Sequence, residues 1–228
     1  MDARAVSVVV ALGMALAAGI TVGWWQGSAS SQVAAVSAVS GSAAESADDE
    51  PTGVAPAAMV TEQPYAGKAF GVGDSVLAGA APCLNERRIK VDAHQPRQIA
   101  DGVDVLAKKG NHLPPRVLVH LGTNGGATAD DLDAIMKVLG PSRLVVWSTI
   151  QLPDDPSRYT FEASTNAAIA ALPLRYDNVR VFDWNALSSQ QPSWVYPEGV
   201  HVTEEGCQGY AALVDGLLRA PSPFGNGD

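Results

Sequence analysis

Between residues 66 and 219 the chain alternates short apolar runs with longer stretches whose apolar positions recur at helical spacing. Five runs, at 68–72, 88–91, 116–121, 143–148 and 178–182, are mostly rich in Val, Ile or Leu and predict strands covered on both faces. Helical patterns lie between or after them, at 75–84, 98–109, 129–139, 161–172 and 203–218. Thr128 stands where an N-cap is expected, and Thr203-Glu204-Glu205 opens the last helix. Alternation of strand and helix implies a parallel sheet with helices on both faces, a three-layer α/β/α sandwich with five strands. In such folds the functional edge lies at the carboxyl ends of the strands.

The flanking segments follow other patterns. Residues 5–25 contain no formal charge, and about twenty apolar residues are enough for a helix to cross a bilayer core. Arg4 precedes this run, Trp24 and Trp25 close it, and no further Lys or Arg occurs before Lys68. That asymmetry predicts an inside N-terminus and an exported domain. Residues 1–25 are therefore read as a membrane anchor or as a cleaved signal peptide, with small residues at Ser28-Ala29-Ser30 available for processing. Residues 26–65 are Ala/Ser-rich, carry the acidic Asp48-Asp49-Glu50 and lack the periodicity to bury a core, so a disordered linker is expected. Residues 220–228 read as a flexible tail.

Composition narrows the partners. The chain is 46% hydrophobic and 17% charged, with 15 Lys and Arg against 24 Asp and Glu, a net charge of −9. Without Arg4, Asp2, Glu45, Asp48, Asp49 and Glu50 the remainder holds 14 cations against 19 anions, so residues 61–228 still carry −5. An acidic surface argues against nucleic acid and anionic headgroups as main partners. Cys83 and Cys207 form no CxxC pair, and the four histidines are scattered, so no metal site is expected.

Three segments carry candidate chemistry. Gly73-Asp74-Ser75 follows the first predicted strand, where Gly73 permits a tight turn. Ser75 at the helix start is expected to present an exposed hydroxyl and a free N–H, with the positive helix end favouring a developing oxyanion. The sequence lacks the second glycine of a Gly-x-Ser-x-Gly elbow, because Leu77 stands there. Gly122-Thr123-Asn124 follows the third strand; Asn124 can donate its amide to an oxyanion, and Gly122 is expected to leave room for the substrate carbonyl. Glu198 and His201 are three residues apart ahead of the last helix, so His201 can take the Ser75 proton while Glu198 fixes its tautomer. Each alone has an ordinary alternative: a serine cap, an Asn-Gly turn, a solvated acid. The first two fall on the same predicted sheet edge, which favours a joint role.

Gly-Asp-Ser near the start, Gly-x-Asn in the middle and acid-x-x-His near the end, over residues 66–219, resemble the SGNH (GDSL-like) hydrolase superfamily, whose fold is flavodoxin-like. Val91-Asp92-Ala93, His120-Leu121-Gly122-Thr123-Asn124 and Gly199-Val200-His201-Val202-Thr203 look closest to the extracytoplasmic branch associated with membrane acyltransferase-3 proteins. The resemblance implies an exported serine esterase or O-acyltransferase acting on acyl, above all acetyl, esters of a cell-envelope glycan or a small ester. It implies Ser75 as nucleophile, His201 as base, Glu198 behind it, and Ser75, Asn124 and Gly122 around the oxyanion. It implies no cofactor, and an envelope acyltransferase as a possible partner.

The sequence departs from that pattern twice. Glu198 stands where Asp is usual, and its extra methylene lets it reach the same imidazole nitrogen. In the second block, the glycine whose N–H helps hold the oxyanion aligns with Pro96, which has no N–H. These departures keep open an alternative of another class, a degenerate, non-catalytic glycan-binding module on the same fold. An exported scaffold protein would leave the three-motif coincidence unexplained.

Other residues take structural readings. His120 is expected to be packed and hydrogen-bonded, and Trp147, Trp184 and Trp194 to be core or rim. Asp183 is read as a cap and Arg97 as structurally paired. Cys83, eight residues after Ser75, and Cys207, six after His201, either form a disulfide or remain two buried thiols.

Overall fold

In a computed structural model, which describes residues 64–155 and 157–221, five strands form one parallel sheet in the order β2-β1-β3-β4-β5. They are β1 (Ala69–Gly73), β2 (Ile89–Ala93), β3 (Arg116–His120), β4 (Leu144–Ser148) and β5 (Val179–Phe182). β1, β3 and β4 are buried along their whole length, as expected of strands covered on both faces. All five strands inferred from sequence are present. Four start one residue later than expected, past Lys68, Arg88, Arg143 and Asn178.

Two apolar layers hold the helices against the sheet. On one side, Val76, Leu77, Ala80 and Leu84 of α1 (Ser75–Glu86) and Tyr210, Val214 and Leu218 of α6 (Glu204–Arg219) pack with Leu118, Val146 and Phe182. On the other, α2 (Ile99–Lys109), α3 (Ala129–Leu139) and α4 (Glu162–Ala170) bury Leu106, Leu132, Ile135, Leu139 and Ile169 against Val72, Val117, Val119 and Trp147. The result is the expected three-layer α/β/α sandwich.

Three sequence expectations about elements need correction. The helix expected over 161–172 ends at Ala170, and Leu172–Leu174 forms a 3₁₀ turn around Pro173, whose ring and missing N–H cannot continue the helix. A further helix, α5 (Trp184–Gln190), was not foreseen; Asp183 caps it by accepting from Ala186 N–H, and Trp184 buries its indole in the core. The first helix runs two residues past Leu84, to Glu86, with Pro82 inside it.

Cys83 and Cys207, 124 positions apart in sequence, form a disulfide that joins α1 to α6. At the amino end of the sheet, Tyr65 N–H donates to Arg219 O (3.0 Å), and the Arg116 guanidinium lies over the Tyr65 ring, 4.6 Å from its centroid. The anchor or signal segment at 1–25, the linker up to residue 63 and the tail from residue 222 lie outside the described residues. Among the described residues no helix is long and apolar enough to cross a membrane.

Candidate active site

The turn from β1 into α1 is fixed by Asp74 rather than by Ser75. Asp74 is the N-cap residue: its Oδ1 accepts from Val76 N–H (3.1 Å). Its Oδ2 accepts from Thr123 N–H (3.2 Å), and its own N–H donates to His120 O (3.1 Å). One fully buried carboxylate therefore ties the Ser75 turn to the end of β3, where Gly122-Thr123-Asn124 lies. The Gly-Asp-Ser motif contains this residue, but sequence reading assigned it no role. Gly73 allows the close approach: a Cβ there would stand 2.4 Å from Leu77 Cβ and 2.8 Å from His120 O.

Ser75 is the first residue of α1, so its N–H has no intrahelical acceptor. The residue as a whole is 7% exposed. His201 Nε2 lies 3.1 Å from Ser75 Oγ, although the two are 126 positions apart in sequence.

His201 is held by a loop folded onto itself ahead of α6. Val195 and Val202 form an antiparallel bridge, Tyr196 N–H donates to His201 O (2.9 Å), and Thr203 caps α6 by accepting from Gly206 N–H (3.1 Å). Gly199 turns this loop at φ +79°, in the left-handed region that favours glycine, with a Cβ position only 3.3 Å from Pro153 Cα. The turn brings Glu198 Oε1 to 2.9 Å from both the His201 backbone N and Nδ1.

Burial raises the Glu198 carboxyl, but hydrogen bonds from the backbone N–H groups of His201 and Glu198 and from the His201 ring outweigh it, and the net effect is below the ordinary carboxylate value. An ionised carboxylate can only accept, so Nδ1 carries the hydrogen and Nε2 of the neutral ring is free to accept from Ser75 O–H. The glutamate in place of the usual aspartate thus reaches the imidazole. The three residues singled out from sequence, Ser75, His201 and Glu198, form one hydrogen-bonded chain.

Asn124, the expected oxyanion donor, sits in the loop after β3, and its Nδ2 donates one hydrogen bond to Arg97 O (3.3 Å). An amide nitrogen has two hydrogens, so one remains. Gly122 has φ +121°, and a Cβ there would point at Thr165 Cγ2 (3.2 Å) and Ile150 Cγ2 (3.4 Å). Backbone conformation and internal packing therefore both demand a glycine at this position.

The second-block loop offers no substitute backbone donor at its centre. Pro96 has no N–H, Arg97 N–H donates to His94 O (3.1 Å), and Gln98 N–H donates to Asp101 Oδ2 (3.0 Å). Arg97 is structurally paired, as read from sequence: it is 3% exposed and its Nη2 meets Asp92 Oδ1 at 2.7 Å.

Behind the nucleophile, His120 is buried with Nδ1 2.9 Å from Tyr210 Oη, and burial lowers its pKa against the opposing pull of Asp74. Trp147 and Trp184 are core residues and Trp194 stacks on Trp184 at the rim, as expected. Among the described residues no group of three or more His, Cys, Asp or Glu could hold a metal ion.

No protein-family profile matches the chain. It is 32% identical over 152 residues to a peptidoglycan O-acetyltransferase of Listeria monocytogenes, a match covering 65% of this chain and 23% of that protein. The chain thus spans about a quarter of the curated relatives it matches. Among solved structures, it superposes on the C-terminal catalytic domain of Streptococcus pneumoniae peptidoglycan O-acetyltransferase A, solved with a methylsulfonyl adduct. That match has a TM-score of 0.56 and 22% identity, over 67% of this chain and 90% of that one. It also superposes on a member of the lipolytic G-D-S-L family from Veillonella parvula, with a TM-score of 0.51 and 15% identity, over 64% and 96% of the two chains.

Proposed function

Because this domain has the fold of the SGNH (GDSL-like) hydrolases, we propose that it is a serine ester hydrolase or O-acyltransferase acting on acetyl esters of a cell-envelope glycan. The observation that carries the reading is the continuous chain from Ser75 Oγ through His201 to Glu198. The 32% identity to a peptidoglycan O-acetyltransferase supports a glycan as acceptor and acetyl as the acyl group.

In this reading Ser75 Oγ attacks the carbonyl carbon of an acyl ester while His201 Nε2 takes the hydroxyl proton. The imidazolium that forms is stabilised by Glu198 through Nδ1–H. The tetrahedral oxyanion receives hydrogen bonds from Ser75 N–H and from the second hydrogen of Asn124 Nδ2. Collapse expels the alkoxide, which takes the proton from His201 Nε2, and leaves an acyl-Ser75 ester. A second hydroxyl then attacks that ester, with His201 as base, and regenerates Ser75. If the hydroxyl is water the outcome is hydrolysis, and if it belongs to a sugar the outcome is transfer. An export route through residues 1–25 and an envelope acyltransferase that supplies the acyl donor complete the proposal.

The test uses the full-length chain. Intact-mass measurement after methanesulfonyl fluoride should show one methylsulfonyl adduct, absent in Ser75→Ala. Acetate release from p-nitrophenyl acetate, with and without a chitooligosaccharide acceptor, then separates hydrolysis from transfer by the appearance of acetylated sugar. A folded wild type that takes no adduct, or labelling that survives Ser75→Ala, would overturn the reading in favour of a non-catalytic glycan-binding module.

A further inference from the structure

We propose that Arg97 is a positioning residue for the oxyanion site, clamping the loop between β2 and α2 so that this loop's carbonyl aims the Asn124 amide. The inference rests on the acyl-transfer reading above and adds a residue to it. Arg97 Nη1 donates to Gly73 O (3.2 Å), two residues before Ser75, and to Asp92 O. Nη2 donates to Asp92 Oδ1 (2.7 Å). The same residue's carbonyl accepts from Asn124 Nδ2 (3.3 Å). One residue therefore links the strand that leads into the nucleophile turn, the neighbouring strand and the candidate oxyanion donor.

The geometry also explains what the loop does without a glycine donor. With Pro96 lacking an N–H and the next two N–H groups engaged, its polar contribution toward Asn124 is an acceptor. A carboxamide is planar, so holding one Nδ2 hydrogen on Arg97 O sets the direction of the other. The loop orients a donor in place of supplying one. Keeping a guanidinium in this position is costly: Arg97 is 3% exposed, and its Nε is buried without a hydrogen-bond partner. A well-packed apolar side chain would serve stability as well or better. What it could not do is bridge Gly73 O and Asp92 while presenting the Arg97 carbonyl to Asn124.

A double-mutant cycle on the full-length chain tests this, with kcat and KM measured separately for p-nitrophenyl acetate hydrolysis. Arg97→Met should lower kcat about tenfold with KM within about twofold, because an oxyanion contact acts in the transition state. In an Asn124→Ala background the same substitution should cost almost nothing further, since the group it aims is gone. Arg97→Lys, which keeps the charge but cannot bridge both partners, should recover little. Asp92→Asn, on a side chain that is 39% exposed, should give a smaller loss of the same kind and stands in if Arg97→Met fails to fold. Losses that multiply across the cycle, or wild-type kcat in folded Arg97→Met or Asp92→Asn, would overturn the proposal while leaving the function intact. A wild type that neither hydrolyses nor takes the sulfonyl adduct would remove the functional reading and this inference together.

Discussion

Glu198 holds His201 with a single oxygen: Oε1 accepts from the His201 backbone N–H and from Nδ1, each at 2.9 Å. One bond fixes the loop and the other fixes the ring, so the carboxylate sets both the place of the imidazole and its tautomer. Glu198→Gln should keep the fold and lower kcat/KM roughly 10²–10³-fold, the scale of a misdirected general base. Glu198→Asp should fall between the two, since shortening the side chain weakens both contacts at once. The check is the kcat/KM of the three proteins for p-nitrophenyl acetate, and equal rates for Glu198→Gln and wild type would exclude the orienting role.

In the proposed reaction Asn124 is the side-chain donor to the oxyanion, and the neighbouring loop offers its amide an acceptor. Asn124→Ala should therefore cost about 10²–10³ in kcat, or roughly 3–4 kcal/mol of transition-state stabilisation. KM should change little, because a ground-state ester carbonyl carries less charge than the oxyanion. A loss confined to KM would place Asn124 in substrate binding instead.

The disulfide between Cys83 and Cys207 ties α1, which starts at Ser75, to α6, which follows His201. Removing it releases a closure spanning 124 residues, and native disulfides typically contribute about 2–4 kcal/mol. The Cys83→Ser/Cys207→Ser protein should melt roughly 10 °C below wild type. Since the bond joins the segments that carry nucleophile and base, activity should be lost on heating in step with it. Thermal melts followed by circular dichroism and by residual hydrolysis test both statements.

How far the sequence reveals all this differs between elements. β1, β3 and β4 are legible because they are buried on both faces, so their apolar runs survive without needing a tertiary context. α5 is not: Trp184-Asn185-Ala186-Leu187 has too short a period to read, and it forms because Asp183 caps it and Trp184 fills the core. Ser75, Glu198 and His201 are legible as ordered motifs, and Glu198 and His201 meet through a local turn. The Asp74 contact with Thr123 N–H and the bridge made by Arg97 depend on β2, β1 and β3 lying side by side. Strand order is a long-range property, so no local pattern encodes those contacts. The φ of Gly122 and its packing on Thr165 and Ile150 likewise become apparent only in three dimensions.

His120 makes stability depend on pH with a definite sign. It is fully buried between Asp74 and Tyr210, with Nε2 lacking a hydrogen-bond partner. Desolvation lowers its pKa from the ordinary 6.5, and the attraction of Asp74 offsets this only in part. In the unfolded chain the ring takes up a proton as the pH falls through about 6.5, while in the folded chain it does not until lower pH. The unfolded state therefore binds more protons in that window, and stability must fall as the pH drops below about 6.5, by at most ~1.4 kcal/mol per pH unit. The loss ends once the pH passes below the folded value, where both states carry the proton. His120→Gln, which cannot titrate, should lack this component, even if it is less stable at neutral pH. Urea midpoints of the two proteins between about pH 8 and pH 5 give the answer, because contributions from the other carboxylates and histidines are common to both and cancel in the difference. The wild-type curve should bend downward relative to the variant on the acid side, and parallel curves would show that His120 titrates alike in both states.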